Sequence, residues 1–402
     1  MKKFNIVPGN KHLFPADNPG CNHMLNHLSI IDSKGWVTTC CQYDHQNQMP
    51  NVKDVTTLDN ILNSKVIKRR RKEMAAGERI SNCQMCWHQE DIGMPSHKYH
   101  SWQLNQYWKV KRGVLQNLEL GLDYTCNMMC RMCKASQSSK WGSAKQVNKL
   151  MKTVDGEHHN GQYTYSHYQK QVKTVLENTD LSELRKLQLV GGEPFYSKNF
   201  DWLMQKISNE ANLSDLFMNV STNGSIVPKN SLDILKRIGR LRIGFSLDAI
   251  GDLASCIRWG VDFAEVDKNV KKWIKLSKDF PNIILSVHCT TSIMNMNKLD
   301  DITNYCEDNG LSISTNVLQG PKHLVPYQIP TFERKKFSIN NKYKKENISE
   351  VALTMQKIVY ADLVADNHLE GFIRSCKILD SYQGIRFKDV NPEIYELAEK
   401  YK

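Results

Sequence analysis

The sequence predicts an α/β fold built on a parallel sheet, and three observations carry that expectation. Short apolar-rich runs recur at Leu118 to Asp123, Lys186 to Val190, Phe217 to Thr222, Arg242 to Leu247, Ile283 to Thr290 and Leu311 to Leu318. Helix-like stretches alternate with them, including Ala135 to Leu150, Phe200 to Glu210, Ser231 to Arg240, Val266 to Lys278 and Leu299 to Asn309. Strands that alternate with helices form βα units whose strands run parallel. The third observation is a cysteine loop directly after the first of these strands, at the edge where βα folds carry their chemistry. The six units fall short of the eight that a closed barrel requires.

That loop holds Cys126, Cys130 and Cys133 in a C-x3-C-x2-C pattern. The spacing supplies three thiolates from one short turn to a cubane iron-sulfur cluster and leaves one iron without a protein ligand. Structural zinc sites usually take four ligands, and no paired C-x2-C stands near this loop. One βα unit later, Gly191 and Gly192 follow Leu187, Leu189 and Val190. Without a Cβ, such residues let a strand end pass close to a ligand. Glu193 and Pro194 then set a polar group and a rigid turn beside them. A Gly-Gly pair after a strand is by itself more often a plain turn, and its place after the cysteine loop makes it a site candidate.

The region before the core has its own cysteine pattern. Cys21 precedes LSIIDSKGWVTTCC, in which a Ser33-Lys34-Gly35 turn joins two β-rich runs and ends at Cys40 and Cys41; Cys83-x-x-Cys86 follows. Five thiols thus compete for a four-ligand site that suits tetrahedral zinc as well as iron. Neighbouring residues on a strand point to opposite faces, so one of Cys40 and Cys41 is expected to turn away. Cys256, Cys289, Cys306 and Cys376 each stand alone and read as small buried hydrophobes.

Composition narrows the setting. Twelve cysteines could mark a secreted disulfide scaffold, but such scaffolds are short, and MKKFNIVPGNKHLFP lacks the apolar core of a secretory signal. A reducing cytoplasm is the expected home. No run of about eighteen apolar residues occurs, so no membrane span is expected. The net charge is +12, densest at Lys68 to Lys72 (KRRRK) and again at Lys342 to Lys345. Such runs are solvated helix faces or meet an anionic partner. The aromatic segment His97 to Trp108 either packs a module onto the core or stacks bases. After a Pro-rich link (Pro321, Pro326, Pro330), two helical stretches are expected at Ile348 to Asp366 and His368 to Tyr382. The expected organisation is an N-terminal module at 1–110, a core at 111–320 and a helical extension at 321–402. No Walker-type phosphate loop or nucleophile triad is present.

With these motifs in view, the chain resembles the radical S-adenosylmethionine (SAM) enzymes, whose signature is C-x3-C-x-Φ-C, with Met132 at Φ. LQLVGGEPFYS (Leu187 to Ser197) is similar to the family's GGEP element. NVSTNGS (Asn219 to Ser225) and GFSLDAIG (Gly244 to Gly251) are similar to its later SAM-contacting strands. The resemblance implies a partial (β/α)6 TIM-like barrel and a [4Fe-4S] cluster on Cys126, Cys130 and Cys133. It further implies SAM cleavage to a 5′-deoxyadenosyl radical that takes hydrogen from a substrate. SAM contacts are implied for Met132, Gly191, Gly192, Glu193, Pro194, Ser221, Asn223, Ser246 and Asp248, with Arg258 at the carboxylate and Val317 against adenine. No catalytic residue beyond the cluster ligands is assigned.

The first region, with its basic Ser64 to Ala76 helix ending at Gly77 and NCQMCWHQEDIGMPS, resembles the twitch domain, a short relative of the SPASM module. Such modules hold an auxiliary [4Fe-4S] cluster and more often follow the core; here the module comes first. The implied ligands are Cys21, Cys41, Cys83 and Cys86, with Cys40 as the alternative to Cys41. SYQGIRFKDVNPEIYEL resembles the ends of twitch-type chains. The implied activity is that of an oxidoreductase or tailoring enzyme acting on a peptide, or alternatively on a nucleotide, nucleic acid base or sugar. An electron donor such as flavodoxin or ferredoxin would serve it. The competing class is a zinc-containing, basic, nucleic-acid-binding protein.

Overall fold

The period-two pattern of the strands puts one set of side chains on a buried apolar face. Leu118 and Leu120, Leu187 and Leu189, Met218 and Val220, and Leu241, Ile243 and Phe245 are all buried. The computed structural model describes residues 21–43, 49–91, 95–103, 107–155, 165–337 and 368–402, together with positions 351, 354, 355, 358 and 359. The strands are β1 (His27–Ile30), β2 (Asn117–Gly121), β3 (Met129–Cys130), β4 (Lys186–Val190), β5 (Phe217–Thr222), β6 (Arg240–Ser246), β7 (Arg258–Trp259), β8 (Ile283–Thr291) and β9 (Ser312–Val317). Seven of them form a parallel sheet in the order β1-β2-β4-β5-β6-β8-β9, and β3 pairs antiparallel with β7. The architecture is the expected α/β fold with an open parallel sheet.

The sheet has one strand more than the sequence reading gave. β1 pairs parallel with β2, from His27 beside Asn117 to Ile30 beside Leu120, and all four of its residues are buried. The run was expected as one arm of a local hairpin, and its parallel pairing with the distant β2 follows only from the folded chain. The expected hairpin survives as a single bridge: Ser29 and Thr38 exchange backbone hydrogen bonds of 2.8 and 2.9 Å. Gly35 turns the chain between them at φ +79°, where a Cβ would lie 2.7 Å from Val52.

Two compact units emerge. The first comprises 1–122, 166–190 and 202–218. Its basic helix Lys65–Ala75 starts at a Ser64 cap and buries Ile67, Arg71 and Met74. The KRRRK run is therefore only partly a solvated face. Arg71 donates to the Met24 and Leu25 carbonyls at 2.6 and 3.1 Å, and Arg70 pairs with Glu73 at 2.8 Å. Ser29 and Gln188 both donate to Glu119, at 2.8 and 3.1 Å, which satisfies a buried carboxylate.

The second unit comprises 123–165, 191–201 and 219–402. Helices Phe263–Asp279 and Leu299–Asp308 take the positions expected of them, and Phe263–Asp279 buries Val266, Val270 and Trp273. The stretch expected as one helix at Ala135 to Leu150 is two, Ser139–Ser143 and Lys145–Asp155, separated at Ala144. Cys256, Cys289, Cys306 and Cys376 are free and buried. Helix Leu369–Gln383 ends at Gly384 in the left-handed conformation. Lys342 to Lys345 and most of the expected Ile348 to Asp366 helix lie outside the described residues. Among the described residues, no helix is long and apolar enough to cross a membrane.

Candidate functional site

The cysteine loop is held by side chains that grip its backbone. Ser139 Oγ accepts from Cys126 N at 3.1 Å, Ser138 Oγ donates to the Met128 carbonyl at 2.9 Å, and Trp141 Nε1 donates to the Cys130 carbonyl at 2.8 Å. Arg131, its side chain 1% exposed, donates to the Cys256 carbonyl at 3.1 Å and pairs with Asp380 at 2.6 Å. Gln383 donates to the Met129 carbonyl at 3.3 Å. A loop fixed this way presents its thiols in a preset arrangement.

The chemistry of the donor set fits a metal cluster. Burial, and then mutual repulsion, push the Cys126 and Cys133 thiols up, Cys133 to about 12; burial also raises Cys130, against the pull of Arg258. Free thiols crowded and desolvated like this are poor isolated nucleophiles, whereas a bound cation inverts the cost and holds them as thiolates. Gly192 fits the same picture. At φ +54°, its Cβ would meet the Thr125 oxygen at 2.6 Å, Tyr124 C at 2.9 Å and the Asp123 oxygen at 3.0 Å, so the glycine turn lies directly on the start of the cysteine loop. Glu193 N completes that contact by donating to the Thr125 carbonyl at 2.9 Å.

Glu193 is 1% exposed and bonded on both oxygens. One accepts from Phe195 N at 3.0 Å and Thr222 Oγ1 at 2.8 Å, the other from Asn223 N at 2.6 Å. Burial raises it to about 7 in spite of these donors. Its visible work is to tie the GGEP turn to the end of β5. Asn223 continues the tie: it donates to Asn127 at 2.9 Å and accepts from Ser225 Oγ at 2.6 Å, while Asn127 donates to Ser225 at 2.9 Å. Asp123 accepts from Thr125 N at 2.9 Å and is hydrogen-bonded to Ser197.

Arg258 reaches the cysteines from β7, where it stands opposite Cys130. Its Nε forms an ion pair with Asp248 at 2.7 Å, and its Nη1 lies 3.9 Å from the Cys130 sulfur. Burial alone would depress the guanidinium, but Asp248 outweighs it and, with Cys130, raises it. Asp248, with a fully buried side chain, also accepts from Thr290 N at 2.8 Å. A small cavity beside the pair is lined by Met128, Asn223, Asp248, Arg258, Phe263 and Val266, among others.

The structure thus brings together Cys126, Cys130, Cys133, Gly192, Glu193, Asn223, Asp248 and Arg258. Ser221, Ser246 and Val317 stand at or next to the C-terminal ends of β5, β6 and β9, and Met132 is half-buried within the loop. Sequence reading missed Asn127, Ser225, Ser139, Arg131 and Asp380. Of these, only Ser225, in the polar turn after Thr222, gave a local signal.

The N-terminal cysteines form a second site. Cys21, Cys40, Cys83 and Cys86 line one pocket with His23, Met74, Trp87 and Lys98. Cys41, the expected fourth ligand, is exposed and does not line it; Cys40 does. Residues 39–42 are bend and turn, not strand, so strand alternation does not by itself separate the two cysteines. Indeed the donor atoms of Cys40, Cys41 and His97 all lie within 4.8 Å of one another. Burial raises Cys83 to about 12, with Cys21 and Cys86 adding to it, so the thiols sense one another electrostatically. This donor set also fits a thiolate-bound metal.

Residues 124–303 match the family model described as the radical SAM superfamily. The chain is 25% identical over 196 residues to a probable GTP 3′,8-cyclase of Methanococcus vannielii, covering 49% of this chain and 56% of that protein. It is 33% identical over 161 residues to a GTP 3′,8-cyclase of Desulforamulus reducens, covering 40% and 42%. The chain spans about half the length of the curated relatives it matches. Among solved structures, Streptococcus suis SuiB bound to S-adenosylmethionine matches over 64% of this chain and 52% of that one, at 15% identity and a TM-score of 0.32.

Proposed function

We propose that this chain, which carries a radical SAM domain over residues 124–303, is a radical SAM enzyme with a second metal centre in its N-terminal region. The observation that carries the reading is the convergence of three free thiols with the Gly191-Gly192 turn and the Asp248–Arg258 pair. When bound, a [4Fe-4S] cluster with SAM supplies one-electron cleavage of SAM and a 5′-deoxyadenosyl radical that removes hydrogen from a substrate. Cys126, Cys130 and Cys133 would hold the cluster. Asp248 aims Arg258, whose guanidinium beside Cys130 suits the SAM carboxylate. Glu193 holds the glycine turn against the cysteine loop, which leaves the Gly191 and Gly192 backbone, rather than its own carboxylate, as the proposed partner of the SAM ammonium. Met132, Ser221, Asn223, Ser246 and Val317 are proposed as further SAM contacts.

For the second centre we assign Cys21, Cys40, Cys83 and Cys86, the four that share a pocket, as ligands of an auxiliary [4Fe-4S] cluster. The substrate reading rests on two supports. The curated relatives are by name GTP 3′,8-cyclases, which favours a nucleotide. The likeness of the N-terminal cysteine pattern to the twitch module favours a peptide. An electron donor such as flavodoxin or ferredoxin completes the proposal. The test is 5′-deoxyadenosine release from SAM under dithionite, with and without GTP. Release by the wild type and none by Cys130→Ala supports the class; equal release by both refutes it. Stimulation by GTP selects the nucleotide reading, and no stimulation rejects GTP as the substrate.

A further inference from the structure

Parallel sheets are normally covered on both faces and carry apolar residues on each. In β6, β8 and β9 one face departs from this. Parallel register sets Arg242 beside Ile284, Gly244 beside Ser286 and Ser246 beside His288; it then sets Ser286 beside Ser312, His288 beside Ser314 and Thr290 beside Asn316. Side chains so paired share a face. The opposite face is the buried apolar one, with Leu241, Ile243, Phe245, Val287 and Ile313. The polar face is open: Ser246, His288, Thr290, Ser312 and Ser314 are half-buried, and Arg242 and Asn316 are exposed. A hydroxyl-lined, partly open sheet face is a poor packing surface and a suitable ligand surface.

Its charge has one sign. The three strands contain no Asp or Glu, and their basic residues, Arg240, Arg242 and His288, fall on the polar face by register. Arg242 has no ion pair or hydrogen bond among the described residues. His288 lies flat across the strand beside it, because Gly244 has no side chain: a Cβ there would sit 2.7 Å from the imidazole Cε1 and 2.9 Å from Nε2. Ser286 Oγ fixes the ring at 3.2 Å from Nε2. Burial, and then Arg242, push the imidazole down, so His288 is a neutral hydrogen-bonding group at pH 7. An uncompensated guanidinium beside an oriented neutral imidazole and a row of hydroxyls matches an oxyanion.

We propose that the polar face of β6, β8 and β9 binds an oxyanion carried by the substrate, a phosphate or carboxylate group, with Arg242 as its principal partner and His288 beside it. The assignment of that ligand as substrate rests on the radical SAM reading; the anion site itself does not. Calorimetric titration of the reconstituted protein with inorganic pyrophosphate and with succinate tests it, alongside Arg242→Gln, Arg242→Lys and, as a control, the exposed Arg237→Gln. Arg242→Gln is expected to weaken binding about tenfold or more, Arg242→Lys less, and Arg237→Gln not at all. Tighter pyrophosphate identifies a phosphate-bearing substrate, and tighter succinate a carboxylate-bearing one. No binding of either probe, or binding indifferent to Arg242→Gln, overturns the proposal. Substrate-free SAM cleavage separates the two readings: its retention in Arg242→Gln shows an intact protein, and its absence in the wild type sinks the radical SAM reading while leaving the titration to judge the anion site.

Discussion

Gly192→Ala isolates the contact on which the candidate site depends. Two costs combine. At φ +54° an alanine takes on left-handed strain of roughly 1–2 kcal/mol. Its methyl also meets three backbone atoms of Asp123, Tyr124 and Thr125 at 2.6–3.0 Å, none of which can swing aside as a side chain could. Overpacking of that kind costs about 1–3 kcal/mol. The whole effect is then about 2–5 kcal/mol. Gly251→Ala is the matched control: its φ is +59° and nothing lies within 4 Å of the added Cβ, so it carries the conformational cost alone. Urea denaturation of both variants gives the difference, and thermal melts should separate by several degrees at about 2–4 °C per kcal/mol. Because Glu193 N is bonded to the Thr125 carbonyl, the displaced turn should also disturb the cysteine loop, so SAM cleavage should fall in Gly192→Ala and hold in Gly251→Ala. Equal destabilisation by the two variants would refute the close approach of the two backbones.

Three further outcomes follow from named contacts. Cys40→Ala should strip metal from the N-terminal pocket while Cys41→Ala retains it, as read by iron and zinc analysis; the reverse result returns Cys41 to the ligand set. Arg258→Met strands the buried Asp248 carboxylate and should cost about 3 kcal/mol, with Asp248→Asn/Arg258→Met recovering part of the loss; a coupling near zero in that double-mutant cycle removes the pair from the account. Glu193, raised from 4.5 to about 7, should contribute stability that is fully present below pH 4.5 and lost as pH rises through about 7. Melts from pH 5 to 8, compared with Glu193→Gln, should show that slope in the wild type alone.

The sheet was legible where short apolar runs alternate with helix-like stretches. β2, β4, β5, β6, β8 and β9 were read within two residues of their ends, whereas β1 was read only as one arm of a local hairpin, because its parallel partner β2 is remote in sequence. The cysteine loop and the GGEP turn announce themselves because short spacing encodes their chemistry. Asn127 and Arg131 do not, since their side chains bond to Asn223, Ser225, Cys256 and Asp380, which are 96 to 249 positions away and which only folding brings near. Cys40 and Cys41 are a different case. They lie in a bend and turn, where neighbours need not diverge as they do on a strand. The polar face of β6, β8 and β9 was visible as serines and an arginine, but their common side became meaningful only once the register was known.

The central claim is that two thiolate-bound clusters serve SAM chemistry in one chain. Iron, sulfide and zinc content after anaerobic reconstitution, measured with dithionite-dependent 5′-deoxyadenosine release, tests it most directly. The account predicts about eight irons per chain with release, falling to about four without release in Cys130→Ala. Zinc in place of iron, with no deoxyadenosine formed, would contradict it.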